Sequence, residues 1–374
     1  MKKRILIFST AYYPRVGGAE VAVKEITDRL PNYEFDLITY RFGQRGAFVE
    51  RLGNVTVYRT GMVSRHLLPF FAYRKARSLS KKRKYHIAWA IMASQAAIAA
   101  AWFVQRDKKI KLLLTLQEGD EEKHLMRYVR GSIFLYKKLI RPLYVLPFKK
   151  ASKITVISNY LKDRAQKENS LVPIAVIPNG VDIQLFKSTK QWPRGDKDRV
   201  LITTSRLVEK NAVDTIIRAM RYLPGSVKLF ILGTGPLEGE LKRLVAEEGA
   251  EDRVGFFGFV KHEEMDWYFK KADIFVRPSR SEGLGNSFLE AMAAGVPVIG
   301  TPVGGIPDFL EDKKTGFFCT PDDPRDLAMK IAHILNPRNA NSIRKIIENA
   351  RTLVSERYSW GIVAEQMDEV FKEL

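Results

Sequence analysis

Short, apolar, β-branched runs alternate with stretches of helical periodicity, and they do so twice along the chain. Ile5–Ser9, Glu34–Tyr40, Val55–Tyr58, His86–Ile91, Leu112–Leu116, Ile154–Ser158 and Ile174–Ile177 read as the strands of a first series, with helices such as Val21–Leu30 between them. A second series reads Val200–Ser205, Val227–Gly233, Val254–Phe259, Ile274–Pro278 and Val298–Thr301, with helices at Asn211–Tyr222, Leu237–Glu248, Glu263–Ala272 and Ser287–Gly295. Strands that are apolar throughout must be covered on both faces, so this alternation predicts an α/β chain of two doubly wound, Rossmann-like domains with parallel sheets. The charged, Pro- and Gly-containing stretch from Lys187 to Arg199 is the expected linker, which puts the domains at 1–190 and 191–358. Tyr358-Ser359-Trp360 then opens a last helix, 359–374. At 374 residues the chain is too long for one ordinary core, which agrees with two domains.

The run Ile87 to Val104 carries no charge over 18 residues, but Ser94 and Gln95 interrupt it and Lys/Arg flank both ends. It reads as a buried strand followed by a helix capped by Ser94, not as a membrane span. Met1-Lys2-Lys3-Arg4 is followed by too short an apolar run for a secretory signal. Cys319, the single cysteine, excludes an internal disulfide, fits a reducing compartment and reads as a small buried residue. The expected location is cytoplasmic.

Ser281 to Ile299 carries the chemistry. Glu282 and Glu290 bracket a turn containing Gly283, Leu284, Gly285 and Asn286, and an alanine-rich helix follows. The two glycines allow close backbone approach and positive φ, and Ser287 is expected to open the helix. The N–H groups of Asn286 to Leu289 would then face an anion such as a diphosphate. Glu282 and Glu290 can accept from hydroxyls on the two sides of that anion, which is what a sugar nucleotide requires. A blander alternative is a capping box, Ser287-x-x-Glu290, in which Glu290 only returns to a backbone N–H. Glu282, Gly283 and Gly285 have no part in a capping box.

With Arg206-x-x-x-Lys210, this segment resembles the retaining glycosyltransferases of family 4, which have the two-domain GT-B fold. The resemblance spans nearly the whole chain and is densest from Arg206 to Pro307. It implies two sheets facing a central cleft, and a last helix that returns to the N-terminal domain. Glu282 would lie by the donor sugar, Glu290 by the ribose, and Arg206 and Lys210 on the diphosphate. Two fixed cations there stabilise the charge that develops as a nucleoside diphosphate departs. Pro14 to Glu20 joins the first strand to a helix, and its Gly17-Gly18 would touch donor phosphate or acceptor. Asn211 stands where the family usually has Gly, and Asn tolerates φ > 0. Gly233-Thr234-Gly235-Pro236, Val254 to Val260, Asn179-Gly180-Val181-Asp182 and Ser158 serve first as fold markers.

The clearest departure is Thr115-Leu116-Gln117-Glu118, where the family usually has Thr-x-His-Asp. Gln117 can bond a sugar hydroxyl but cannot shuttle a proton, and Glu118 and Asp120 are the neighbouring carboxylates. In a front-face retaining reaction the leaving phosphate can take the acceptor's proton instead. The one Asp-x-Asp, Asp196-Lys197-Asp198, falls in the expected linker. The sequence shows no clustered ligand set, and the resemblance implies an enzyme that needs no metal, so no metal and no other cofactor is expected.

Charge is divided unevenly. Residues 1–190 hold 36 Lys/Arg against 14 Asp/Glu, a net of +22, while residues 191–374 hold 26 against 28. Arg74, Lys75, Arg77 and Lys81 to Lys84 lie in one acid-free run. Arg127, Arg130, Lys137, Lys138, Arg141, Lys149 and Lys150 lie in another, among Tyr128, Phe134, Tyr136, Tyr144 and Phe148. Basic residues mixed with aromatic ones suit an anionic membrane surface, hence peripheral attachment to the inner face and a saccharide or lipid-linked acceptor. A solvated basic face is the alternative; nucleic acid has no motif to support it. Two rival functions stay open: a sugar-nucleotide epimerase of the same architecture, and a non-catalytic sugar-nucleotide-binding or membrane scaffold.

Overall fold

In a computed structural model, residues 2–14, 17–41, 47–60, 65–117, 134, 136–186 and 198–374 are described. The chain divides into two compact units, Met1–Asn179 with Trp360–Leu374, and Gly180–Ser359.

The first unit is built on an eight-stranded sheet. Its strands are β1 (Lys3–Phe8), β2 (Tyr33–Tyr40), β3 (Val49–Leu52), β4 (Val55–Thr60), β5 (Ile87–Ile91), β6 (Lys111–Leu116), β7 (Lys153–Val156) and β8 (Ile174–Val176), in the order β3-β4-β2-β1-β5-β6-β7-β8. All pairs are parallel except β3 with β4, where Val49 faces Tyr58 and Leu52 faces Val55. This antiparallel edge departs from the all-parallel expectation. Only Gly53 and Asn54 separate its strands, and a connection that short can join antiparallel neighbours only. The uncharged run becomes β5 and the helix Gln95–Arg106. No helix among the described residues is long and apolar enough to cross a membrane.

The helix Trp360–Glu373 belongs to this unit. Val363, Met367, Val370 and Phe371 recur at helical spacing and are buried with Trp89, Tyr33 and Phe35 in one core. The Phe371 ring lies 5.2 Å from that of Trp89 and 5.5 Å from that of Tyr33.

The second unit has a six-stranded parallel sheet of β9 (Arg199–Thr204), β10 (Val227–Leu232), β11 (Val254–Gly258), β12 (Ile274–Arg277), β13 (Val298–Gly300) and β14 (Phe317–Phe318), ordered β11-β10-β9-β12-β13-β14. The division at Asn179/Gly180 comes earlier than the 190/191 boundary read from composition. Val181 donates to the Tyr358 carbonyl at 2.7 Å, and Phe186 packs fully buried against the Phe269 ring. Those contacts bind residues 180–186 to the second unit; residues 187–197 lie outside the described set.

Candidate functional site

In the second unit the loop after β9 is held by backbone. Ser205 donates to the Leu232 carbonyl at 3.0 Å, and Leu207 donates to that of Thr234 at 3.0 Å. Gly233 has φ +133°, and a Cβ there would sit 1.9 Å from the Ser205 oxygen. The Gly233-Thr234-Gly235 turn thus backs the cation loop, and only glycine allows the approach. Leu207 is fully buried as the anchor, while Arg206 beside it is exposed and Lys210 half-buried.

Asn211 does not use the freedom in φ that the sequence suggested; the left-handed residue is Ala212, at φ +51°. Asn211 is buried and spends its side chain instead. Its Nδ2 donates to the Arg206 carbonyl at 2.6 Å, and its Oδ1 accepts from Arg277 Nη2 at 3.2 Å.

The helix that follows the acid turn runs Asn286–Ala293, with Gly285 as its cap residue at φ +97°. Ser287 therefore lies inside the first turn and does not open the helix. Its Oγ accepts from Arg277 Nη1 at 2.8 Å. Of the two turn glycines, only Gly285 adopts positive φ. The Phe288 amide already donates to the Gly285 carbonyl at 3.0 Å, so the expected row of open N–H groups is shorter than Asn286 to Leu289. The Leu284 side chain is buried, which leaves its main chain as the part able to meet a ligand.

The capping-box alternative does not form. Glu290 Oε1 lies 3.1 Å from His262 Nε2, and no side chain caps this helix. The Glu290 carboxylate holds the His262 pKa above its ordinary value, against the opposing effect of burial; Glu263 and Asp182 add to the rise. The Phe186 ring packs edge-on against His262 at 5.5 Å.

Glu282 is nearly enclosed. Its Oε1 accepts from the Gly283 amide at 3.1 Å, and its Oε2 stands 2.6 Å from Arg277 Nη2, both side chains being 12% exposed. The contact at Oε2 is an ion pair without hydrogen-bond alignment, and Oε2 has no hydrogen-bond partner among the described residues. Oε1 accepts from the Gly283 amide and, as a carboxylate oxygen, keeps a second lone pair for a hydroxyl. The Gly305 amide donates to the Glu282 carbonyl at 3.2 Å.

The fold brings the two motifs together. Arg280 donates its amide to the Lys210 carbonyl at 2.7 Å, and its Nη1 to the Glu209 carbonyl at 2.6 Å. The Arg206–Lys210 loop and the Glu282 turn therefore share backbone bonds. Arg277, Arg280, His262 and Gly305 complete this arrangement, and sequence reading missed all four. The available signal was an arginine closing the otherwise apolar strand Ile274-Phe275-Val276.

In the first unit, helix Gly18–Arg29 begins after Gly17, whose amide donates to Glu20 Oε2 at 2.7 Å. Burial raises the Glu20 pKa, and the backbone bonds it accepts oppose the rise. Gly17 has φ −130°, so its use is the 3.0 Å space it leaves Glu20. Gln117 and Asn179 exchange both amide bonds, at 2.9 and 2.7 Å, which fixes Gln117 and engages its donor and its acceptor. Ser158 caps the helix Asn159–Glu168 through Leu161 N–H, a structural task. Arg15, Val16, Glu118, Asp120, Arg127, Arg130, Asp196 and Lys197 lie outside the described residues. Among the described residues no group of three or more His, Cys, Asp or Glu could hold a metal ion.

Residues 16–185 match the family model described as Glycosyltransferase Family 4, and residues 186–353 that described as Glycosyl transferases group 1. An uncharacterized glycosyltransferase of Methanocaldococcus jannaschii is 25% identical over 99% of this chain and 98% of that protein. The GDP-mannose-dependent alpha-(1-6)-phosphatidylinositol monomannoside mannosyltransferase of Mycobacterium tuberculosis is 30% identical over 59% of this chain and 61% of its own length. Among solved structures, sucrose-phosphate synthase from Thermosynechococcus elongatus superposes with a TM-score of 0.82 at 20% identity, covering 99% of this chain and 98% of the other. HepE of Anabaena, solved with UDP and glucose, gives 0.78 at 19% identity over all of both chains.

Proposed function

Given that the chain belongs to glycosyltransferase family 4 and is a glycosyltransferase with the GT-B fold, we propose that it moves a hexose-type sugar from a nucleotide-sugar donor to a saccharide or lipid-linked acceptor. The reaction retains anomeric configuration and uses no metal. One observation carries the donor-site reading: the Lys210 carbonyl accepts the Arg280 amide, which ties the cation loop to the turn bearing Glu282 and the start of helix Asn286–Ala293.

Arg206 and Lys210 bind the diphosphate, and the main chain of Gly283 to Asn286 approaches it. Glu290 accepts from the ribose hydroxyls and Glu282 from a hydroxyl of the sugar. As the bond from the anomeric carbon to the phosphate oxygen breaks, the two cations stabilise the charge left on that oxygen. The acceptor oxygen bonds to the same carbon on the same face, and its proton passes to the departing phosphate oxygen. Within the first unit, Gly17 and Gly18 open the first helix and Asn179 fixes the Gln117 amide. Its basic surface supports an acceptor or a membrane of negative charge.

A thermal-shift screen against UDP-, GDP-, ADP- and dTDP-sugars tests the reading. A ligand at about 100 times its dissociation constant adds about 2.7 kcal/mol of stability. Stabilisation by one nucleotide class is expected; no response to any of the four would overturn the proposal. Product analysis without an acceptor separates transfer from epimerisation.

A further inference from the structure

We infer that Arg277 is a positioning residue that sets Glu282 against the cation loop, with Asn211 as its partner. The inference rests on the donor-site reading above and goes beyond it. Arg277 closes β12 and touches four segments with one guanidinium. Nη1 donates to Ser287 Oγ at 2.8 Å and to the Thr204 carbonyl, the end of β9, at 3.4 Å. Nη2 donates to Asn211 Oδ1 at 3.2 Å and stands 2.6 Å from Glu282 Oε2. Asn211 then passes the link on, from its Nδ2 to the Arg206 carbonyl at 2.6 Å. Five donors in a rigid plane suit arginine to this task, whereas a lysine ammonium is a single point on a flexible stem.

Stability alone does not account for the arrangement. Burying an ion pair costs desolvation, and here Arg277 Nε and Glu282 Oε2 are buried without a hydrogen-bond partner among the described residues. Replacing a buried ion pair by apolar residues of similar volume is often neutral or stabilising. The network instead orients the Glu282 carboxylate, with Oε2 held against Arg277 and Oε1 beside the Gly283 amide. Binding of a nucleoside diphosphate depends chiefly on Arg206, Lys210 and Glu290. Reaction of the sugar depends on where Glu282 points. Loss of the network should therefore separate the two.

The experiment compares wild type with Arg277→Lys, Asn211→Gly and the double variant. Calorimetry with UDP, GDP, ADP and dTDP reads nucleotide affinity; release of nucleoside diphosphate from the matching sugar nucleotide reads kcat and KM; thermal unfolding confirms the fold. Each single variant is expected to bind nucleoside diphosphate within about threefold of wild type and to lose at least about tenfold in kcat. The double variant should be no worse than Arg277→Lys by more than about threefold, because the two residues act through one network. Folded variants with wild-type kcat, or a lowered melting temperature with kcat unchanged, would overturn the inference alone. Wild type that binds none of the four nucleotides would overturn the donor-site reading, and the inference with it.

Discussion

A Cβ placed on Gly304 would lie 1.8 Å from the main-chain oxygen of Glu282, and Gly304 itself is at φ +57°. The turn after β13 therefore presses its backbone against the peptide of the acid proposed to meet the donor sugar. Gly304→Ala meets both a clash and left-handed strain, the latter worth about 1–3 kcal/mol. Its melting temperature should fall and sugar-nucleotide turnover should fall with it. Gly225→Ala is the control, since nothing lies within 4 Å of its would-be Cβ, and it should match wild type in both measurements.

Glu282→Gln keeps the shape of the side chain and removes its charge. The amide can still face Arg277, so the fold should persist by circular dichroism, while the melting temperature should fall because the buried guanidinium loses its counter-charge. Nucleotide-dependent stabilisation should persist as well. Transfer should drop by at least about a hundredfold, the scale seen when one preorganised polar group is lost from a transition state. Wild-type turnover in this variant would remove Glu282 from the proposed chemistry.

Much of this was legible in advance. The strand cores of both sheets were readable because they are apolar and β-branched, and the Glu282/Glu290 spacing was readable because the glycines and helix follow it directly. Val49–Leu52 was missed since Glu50 and Arg51 give it the look of a charged loop, which an edge strand can share. Phe317–Phe318 is too short to show a period. Arg277 was missed for a different reason: its partners Thr204, Asn211, Glu282 and Ser287 come from four other segments, and no local pattern reports such a meeting. Ser287 misled because Ser before a helix ordinarily caps it, yet the cap position is taken two residues sooner by Gly285 at φ +97°.

The pair His262–Glu290 predicts a pH effect on stability. His262 has its folded-state pKa raised by Glu290, with Glu263 and Asp182 acting in the same direction. The pair's contribution is therefore fully present below the unfolded value, about 6.5, and is lost as pH rises through the higher folded value. Gln at 262 imitates the neutral ring and cannot titrate. The melting-temperature gap between wild type and His262→Gln should be wider at about pH 5.5 than at about pH 8.5. The histidine side chain is 46% exposed, so solvent screening keeps the gap small. Equal gaps at both pH values would show that the contact has no ionic share.

Phe371 joins the last helix to the first unit's sheet. It is fully buried, with the Tyr33, Phe35 and Trp89 rings around it, and Tyr33 also donates to Asp368 on the same helix at 2.6 Å. Phe371→Ala should cost about 3–5 kcal/mol, by the loss of burial and the cavity left behind. Denaturant unfolding would read it, with Leu171→Ala, at a position 92% exposed, expected to be neutral.

The basic surface of the first unit gives a membrane prediction. On helix Leu68–Ser80, Phe70 is 49% exposed with the Arg74 guanidinium 5.5 Å from its ring centre, and Arg77 is exposed beside them. Lys81, Lys82 and Lys84 follow on the surface, and helix Arg141–Lys150 adds Arg141, Leu143, Lys149 and Lys150. Phe148 of that helix is core and takes no part. An exposed aromatic ring among cations can enter the headgroup region while the charges meet anionic lipid, each worth about 1 kcal/mol near such a surface. The protein should float with vesicles containing anionic phospholipid at low salt and be released at high salt, because screening shortens the reach of those charges. Phe70→Ser with Arg74→Glu should weaken flotation about tenfold or more and leave donor turnover in solution unchanged. Flotation with neutral vesicles at equal strength, or none at low salt, would refute the electrostatic attachment.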